Sequence, residues 1–455
     1  MTSEQDVRGA LRQYRETNDV PGAVLCAFTS AGEILAVGDG TTSIESPEQR
    51  MTPETVFRMY SVAKMMTATM IVSLASEGVL DLDELSDRYV EGIRRRSSTC
   101  SDGTTLRHLL SHQSGLLPDA VIHEGLGRDP DGLAASVIRD YRRTPVIAPP
   151  GHVYGYSNLG VSLAGLAAER VTGVPFEQLM AETVFIRFGM LRSFHDPVIA
   201  MTYPLAQHHI RQNGRLRVVH DAKAGSKLTP SSLCFTTVSD LALFGSVHLR
   251  TALEGSQMSP LRQMHSPHSS PRLDVDIQYG LGTYLYPHQG GFRPFGHEGF
   301  YDGMWVKLFI DPSRDLGVVW MDNRGEELRE ERYSVIDKLF DGLGRSKAPE
   351  DDTAQRETQA QAPRMAGQYS RTGAAPLSVV PDEDCLLVAS DGQQMALEAY
   401  GRNVWRSKFD CEPSGAPWGP HSGTKRICLG SGPGPDPDGQ VSVVHLNGLP
   451  YKRTA

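Results

Sequence analysis

Ser61 and Lys64 stand three residues apart at the head of an apolar stretch, and their types and spacing suit nucleophilic catalysis. Lys64 is the only charged residue between Ser61 and Ser76, and Gly78 follows where a helix C-terminal glycine would. A helix this apolar must be buried nearly all round. Burial makes a lysine cation costly and lowers its pKa, so Lys64 is expected to serve as a base near neutral pH. Residues i and i+3 share a helix face, which brings the amine to the Ser61 hydroxyl. Ser61 would also feel the positive end of the helix dipole and could offer its own N–H to an oxyanion. Together these make an activated nucleophile beside its base. The competing reading is a serine N-cap with a lysine that snorkels to solvent. The tetrapeptide alone does not decide, because a second copy, Ser422-Gly-Thr-Lys425, lies in a Gly/Pro-rich loop with no apolar helix behind it.

Two further motifs could join this pair. Tyr156-Ser157-Asn158 follows Pro149-Pro150-Gly151 and precedes an apolar segment, Leu159 to Val171, that ends at Gly173. Tyr156 is expected on the loop entering that helix, with Ser157 or Asn158 as N-cap. Its phenol could shuttle a proton to a leaving group, and Asn158 could fix the lysine or a substrate amide. The alternative is a structural tyrosine and a simple cap. His297-Glu298-Gly299 leads into the strand signal Met304–Ile310. Gly299 would let substrate lie close to the strand backbone, and the Phe300 N–H could be a second oxyanion donor. The alternative is a histidine satisfied at a strand end. Copies of the same spacing at His123-Glu124-Gly125 and His288-Gln289-Gly290 sit in loop-like sequence.

The elements that must hold these groups can be outlined from composition. At roughly 100–200 residues per domain, 455 residues make two to four domains. Residues 1–345 alternate periodic apolar segments with turns. Residues 346–364 hold no large apolar side chain and read as a linker, or as an exposed polar helix. From 365 to 455 the texture is short strand-like runs (Leu377–Val380, Cys385–Val388, Met395–Leu397, Val441–Leu446) between turn signals, which predicts a small all-β barrel or sandwich.

The net charge of -9 argues against nucleic acid or an anionic membrane as partner, and the basic run Arg94-Arg95-Arg96 reads as a solvated helix end. The chain begins without a basic cluster and apolar stretch, so no secretory signal is read and a cytoplasmic protein is expected. Its six cysteines are scattered and are expected as free thiols. No histidine pair has metal-ligand spacing; the adjacent His208 and His209 would point in different directions, so no metal and no cofactor are expected.

The three motifs, in this order, resemble the serine β-lactamase and penicillin-binding-protein superfamily, and most of all its class C-like branch. The likeness extends through Thr105–Gly115, Pro150-Gly151, Val171-Thr-Gly173, Phe188-Gly-Met190, Phe235–Ala242, Tyr279-Gly-Leu-Gly282, Ile310-Asp311-Pro312 and Met321-Asp-Asn323, covering about residues 15–340. It implies an α/β fold: an antiparallel sheet flanked by helices, beside an all-helical region, with the site between them. It implies roles as well. Ser61 would be acylated, Lys64 and Tyr156 would share base and acid work, and Asn158 would position them. The N–H groups of Ser61 and Phe300 would form the oxyanion hole, and His297, Glu298 and Gly299 would bind substrate. His297 stands where many relatives have lysine and Glu298 where they have threonine. The resemblance therefore implies that Glu298 repels a substrate carboxylate and disfavours β-lactam hydrolysis.

The C-terminal pattern, from Ala366-Gly-Gln-Tyr369 to Pro450-Tyr-Lys-Arg453, is similar to the lipocalin-like domain appended to some members. Two such groups are intracellular: D-residue-preferring peptidases, and penicillin-binding-protein-type thioesterases that release and cyclise nonribosomal peptides. The expected substrate is thus a peptidyl (thio)ester, amide or ester, presented on a carrier protein in the thioesterase case. The cyclising thioesterase is the leading expectation. A D-residue peptidase or amidase, or a small-molecule esterase, comes next, followed by a non-enzymatic acylatable sensor or scaffold.

Overall fold

The computed structural model describes residues 3–93, 103–118, 132–220 and 228–342, apart from 255–258, 273–276, 288–292, 302 and 326–327, and the strands within 362–454. Arg94–Arg96, His123–Gly125, His288–Gly290 and Ser422–Lys425 lie outside the described residues.

Strict alternation of apolar residues along the central strands feeds two cores at once. Six helices matter for the site: α1 (Glu4–Thr17), α2 (Ala63–Ser76), α3 (Leu106–Leu110), α4 (Asn158–Thr172), α5 (Val238–Leu253) and α6 (Arg329–Gly342). The strands of one antiparallel sheet are β1 (Gly22–Thr29), β2 (Gly32–Gly40), β3 (Ser269–Arg272), β4 (Ile277–Tyr279), β5 (Tyr284–Leu285), β6 (Phe295–Tyr301), β7 (Met304–Asp311) and β8 (Leu316–Asp322). They lie in the order β2-β1-β8-β7-β6-β5-β4-β3.

Odd and even positions part cleanly. Val24, Cys26 and Phe28 of β1, with Val306, Leu308 and Ile310 of β7, join α2, α4 and α5 in the larger core. Ala23, Leu25 and Ala27, with Trp305 and Trp320, meet α1 and α6 on the other face. Helix α1 starts at a capping box between Ser3 and Asp6 and buries Val7, Leu11 and Tyr14, one helical stripe. Asp322 of β8 ties this layer together: it accepts from Arg332 at 2.6 and 2.8 Å, from Trp320 Nε1 at 2.8 Å and from the Tyr14 hydroxyl at 3.3 Å.

Helix α2 is buried on every side from Ala63 to Leu74, as its composition predicts. It stops in a Schellman arrangement. Gly78 takes φ +75°, and the N–H groups of Gly78 and Val79 close on the carbonyls of Ala75 and Leu74. Among the described residues no helix is long and apolar enough to cross a membrane. Cys26, Cys234 and Cys385 are free thiols.

Beyond residue 361 the short strands form a closed eight-stranded antiparallel barrel, β9 (Gly367–Ser370), β10 (Leu377–Asp382), β11 (Cys385–Ser390), β12 (Gln393–Gly401), β13 (Val404–Ser407), β14 (Cys428–Ser431), β15 (Val443–Leu446) and β16 (Leu449–Arg453). The first strand closes on the last through Tyr369 and Arg453. Leu377, Val379, Leu386 and Val388 alternate inward. Most of the expected linker lies outside the described residues. At its end, Ala362–Met365 form a 3-10 turn with Ala362 and Met365 buried.

Candidate active site

Ser61 sits ahead of the helix rather than at its cap. Residues Tyr60–Val62 form a 3-10 turn that runs straight into α2, and no side chain caps that helix, so Ser61 is not an N-cap. The approach is pinned on both sides. Phe57-Arg58 pairs with Phe235-Thr236, and Met59 N–H donates to the Cys234 carbonyl at 2.9 Å. Tyr60 then takes φ +49°, a left-handed conformation that a bulky residue adopts only when its surroundings impose it. The Tyr60 hydroxyl is held by His208 Nε2 at 2.5 Å, and its ring lies under the Arg58 guanidinium.

Ser61 is half-buried, while Lys64 is fully buried. Lys64 Nζ lies 2.9 Å from Ser61 Oγ, 2.6 Å from Asn158 Oδ1 and 3.0 Å from the Ser231 carbonyl oxygen. The last two partners can only accept. Each takes an N–H bond from the amine, and the serine hydroxyl lies within hydrogen-bond reach of the same nitrogen.

Asn158 is available for this because its neighbour does the capping. Ser157 is the N-cap of α4 and accepts from Gly160 N–H at 2.9 Å. The Tyr156 ring covers Lys64 Nζ at 4.9 Å and lies tilted against the His112 ring, 4.4 Å between centroids. Ser61, Lys64, Tyr156 and Asn158, drawn from positions almost a hundred residues apart, therefore meet at one place.

The third motif divides across its strand. In β6, Gly299 packs against the turn that carries Ser61: a Cβ there would stand 2.3 Å from the Met59 carbonyl oxygen and 2.7 Å from Ser61 N. Only glycine lets the strand come this close. His297 is buried within 6.4 Å of the Tyr156 ring. Glu298 falls on the opposite face, as strand alternation requires. Its Oε2 accepts from the Tyr333 hydroxyl of α6 at 3.1 Å and lies 3.8 Å from Lys307 Nζ. The expectation that Glu298 lines the substrate site and repels a carboxylate is thus corrected: its carboxylate is engaged behind the sheet. Phe300, beside Gly299, is partly exposed.

Several groups at the site escaped sequence reasoning. His112, with φ +58°, accepts from Ser157 N–H through Nδ1 at 3.2 Å. Its Nε2 lies 3.2 Å from the Tyr279 hydroxyl, which is 3.1 Å from His297 Nε2. Burial, with Lys64 and His297 nearby, holds His112 well below the usual histidine range; burial, Lys64 and Lys307 do the same to His297. Both residues sit in segments that carried the family likeness, but only geometry links them. The Ser231 carbonyl is a backbone group that no side-chain motif announces. Among the described residues no group of three or more His, Cys, Asp or Glu could hold a metal ion.

Known proteins resemble this chain in sequence and in fold. Penicillin-binding protein 4 of Amycolatopsis lactamdurans is 24% identical over 374 residues, 80% of this chain and 96% of that protein. The crystal structure of SurE superposes with a TM-score of 0.73 at 22% identity, covering 99% of this chain and 98% of SurE. The structure of SurE with D-Leu gives 0.69 at 20% identity, covering 99% of both chains. The profile described as Beta-lactamase matches residues 7–339, so the chain belongs to the β-lactamase family, the penicillin-binding-protein-like serine hydrolases.

Proposed function

We propose that this protein is an acyl-enzyme catalyst acting on peptide-like carbonyls, with Ser61 as nucleophile and Lys64 as its base. The observation that carries this is the 2.9 Å approach of Lys64 Nζ to Ser61 Oγ, with two carbonyl acceptors orienting the amine. Lys64 takes the hydroxyl proton as Oγ attacks the substrate carbonyl carbon. The N–H groups of Ser61 and Phe300 receive the oxyanion, and the contact of Gly299 with Ser61 N supports that pairing. Collapse expels the leaving group, protonated through Tyr156 and Lys64. Water or an amine then resolves the ester.

Within this chemistry the preferred reading is a penicillin-binding-protein-type thioesterase that releases and cyclises a nonribosomal peptide delivered on a carrier protein. Residues 1–345 would be the catalytic unit and residues 365–455 an appended lipocalin-like barrel. Support comes from the likeness to SurE over nearly the whole of both chains and from the D-amino acid named for one of its structures. A D-residue peptidase or amidase shares the acyl-enzyme and differs in what resolves it.

The test is a product assay on a linear peptidyl thioester with a D-residue at the reacting end. Ring formation that requires Ser61 supports cyclisation. Acid alone, from thioester and amide alike, supports the peptidase. A covalent adduct that never turns over would make the protein an acylatable sensor.

A further inference from the structure

The adjacent histidines His208 and His209 point in different directions, and each reaches a different part of the site. His208 turns to Tyr60: Nε2 stands 2.5 Å from the phenol oxygen, and the two rings meet edge-on with centroids 5.8 Å apart. Burial, with Arg58 and His209 nearby, lowers His208 to about 3, so its neutral ring can accept the phenol hydrogen. His209 turns away. Its Nδ1–H donates to the Asn323 carbonyl oxygen at 3.0 Å, and its Nε2 accepts from Ile44 N–H at 3.2 Å. Its backbone N–H donates to the carbonyl of Gly303, just ahead of β7, at 3.1 Å.

One dipeptide is thereby tied to both strips of backbone that carry the proposed oxyanion donors. Tyr60 immediately precedes Ser61, and Gly303 lies three residues beyond Phe300. The dihedral angles of Tyr60 aim the peptide unit that holds Ser61 N–H. At φ +49° that residue occupies a conformation which a bulky side chain leaves unless its surroundings hold it. Close packing keeps the pieces in register. A Cβ at Gly299 would stand 2.9 Å from Tyr60 Cβ, and one at Gly303 would stand 2.3 Å from the His209 carbonyl oxygen.

We propose that His208 is a positioning residue for the oxyanion hole: by holding the Tyr60 hydroxyl it fixes the Tyr60–Ser61 peptide, and with it the spacing between the N–H groups of Ser61 and Phe300. This inference rests on the acyl-enzyme reading above. His208 acts through Tyr60. Without their bond the turn relaxes towards the right-handed region and swings Ser61 N–H off its aim. Lys64 keeps its acceptors, because Asn158 and Ser231 stand on other elements.

The experiment compares the p-nitrophenyl ester of an N-acetyl-D-amino acid with its thionoester, whose carbonyl sulfur accepts N–H bonds poorly. The ratio of the two kcat/KM values reads the oxyanion contacts and cancels any loss of folded enzyme. Tyr60→Phe removes the hydroxyl, and His208→Ala removes its partner. Each should lower kcat/KM on the oxygen ester by about tenfold to 10²-fold, part of what a missing donor costs, and shrink the ratio by about tenfold. His208→Gln keeps an acceptor near the position of Nε2 and should recover most of both losses. Tyr60→Phe decides the matter if His208→Ala does not fold. Equal losses on the two esters, with the ratio unchanged, would overturn the proposal. Ser61→Ala is assayed in parallel. Turnover that survives it removes the acyl-enzyme reading, whereas turnover that needs Ser61 but shows an invariant ratio removes only the role of His208.

Discussion

Two buried lysines lie on opposite faces of the same sheet, and their surroundings make them different reagents. Lys64 is 0% exposed and Lys307 is 1% exposed. The acceptors on Lys64 include a hydroxyl, a side-chain amide and a peptide carbonyl, each of them neutral. Lys307 donates to the hydroxyls of Tyr286 and Tyr333, and Tyr333 passes its own hydrogen to the Glu298 carboxylate. Burial pulls Lys307 down, but the two phenols outweigh it and hold its pKa above the ordinary lysine value. Burial alone therefore does not mark a base. A lysine becomes one when its partners satisfy the N–H groups without demanding a positive charge and a transferable proton lies at the remaining position.

This contrast predicts its own breaking points. Replacing Ser61 by Ala should abolish turnover, a loss of at least ~10⁴-fold in kcat, as when a nucleophile that acts in concert with its base is removed. A steady-state assay within tenfold of wild type would end the assignment. Lys64→Ala should slow acylation by about 10²–10⁴-fold, the share of general acid–base catalysis, and leave thermal stability near wild type. Gly299→Ala must push the nucleophile turn away from β6, since its methyl group would overlap the Met59 carbonyl. A loss of about 10²-fold in acylation is expected from such a displacement, read by stopped-flow with an activated ester.

Lys307→Met should do the reverse of Lys64→Ala. It leaves Glu298 without its cation, which costs roughly 3 kcal/mol of stability, while the folded fraction acylates Ser61 at a rate close to that of wild type. Large rate loss without destabilisation would erase the distinction between the two lysines.

A further expectation concerns pH. Burial lowers His195 to about 4 and His208 and His248 to about 3. An unfolded histidine titrates near 6.5, so below that pH the unfolded chain binds protons the native one refuses. The stability these neutral rings contribute is present above about pH 6.5 and lost as pH falls towards 4 and 3, by up to about 1.4 kcal/mol per pH unit for each ring. The Tm should therefore drop between about pH 7 and about pH 5. A flat Tm over that interval would mean these rings are protonated in the native state.

How much of this was legible beforehand depended on range. The buried helix with its single lysine, the glycine stop at Gly78, a cap at Ser157 or Asn158 and a strand over Met304–Ile310 are local patterns that the sequence shows; the structure settles the cap on Ser157 and carries the strand to Asp311. Of the C-terminal strands, the runs Leu377–Val380, Cys385–Val388, Met395–Leu397 and Val441–Leu446 were readable between their turns and overlap strands of the barrel, whereas Val404–Ser407 and Cys428–Ser431 were not read. The side on which Glu298 falls was in principle readable too, because period-two alternation places it opposite His297 and Gly299. Its partner Tyr333, 35 residues on, was not. The 3-10 turn at Ser61 depends on strand pairing with Phe235-Thr236, and the bond between His112 and Tyr279 spans 167 residues. Such contacts are set by tertiary packing, which no local periodicity encodes.

The most direct test of the account is peptide-mapped mass spectrometry of the intact protein after brief exposure to an activated D-acyl thioester. Acyl mass on Ser61, formed quickly in wild type, slowly in Lys64→Ala and at wild-type speed in Lys307→Met, is what the geometry predicts. Label on any other residue, or labelling of Ser61 that ignores the loss of Lys64, would contradict it.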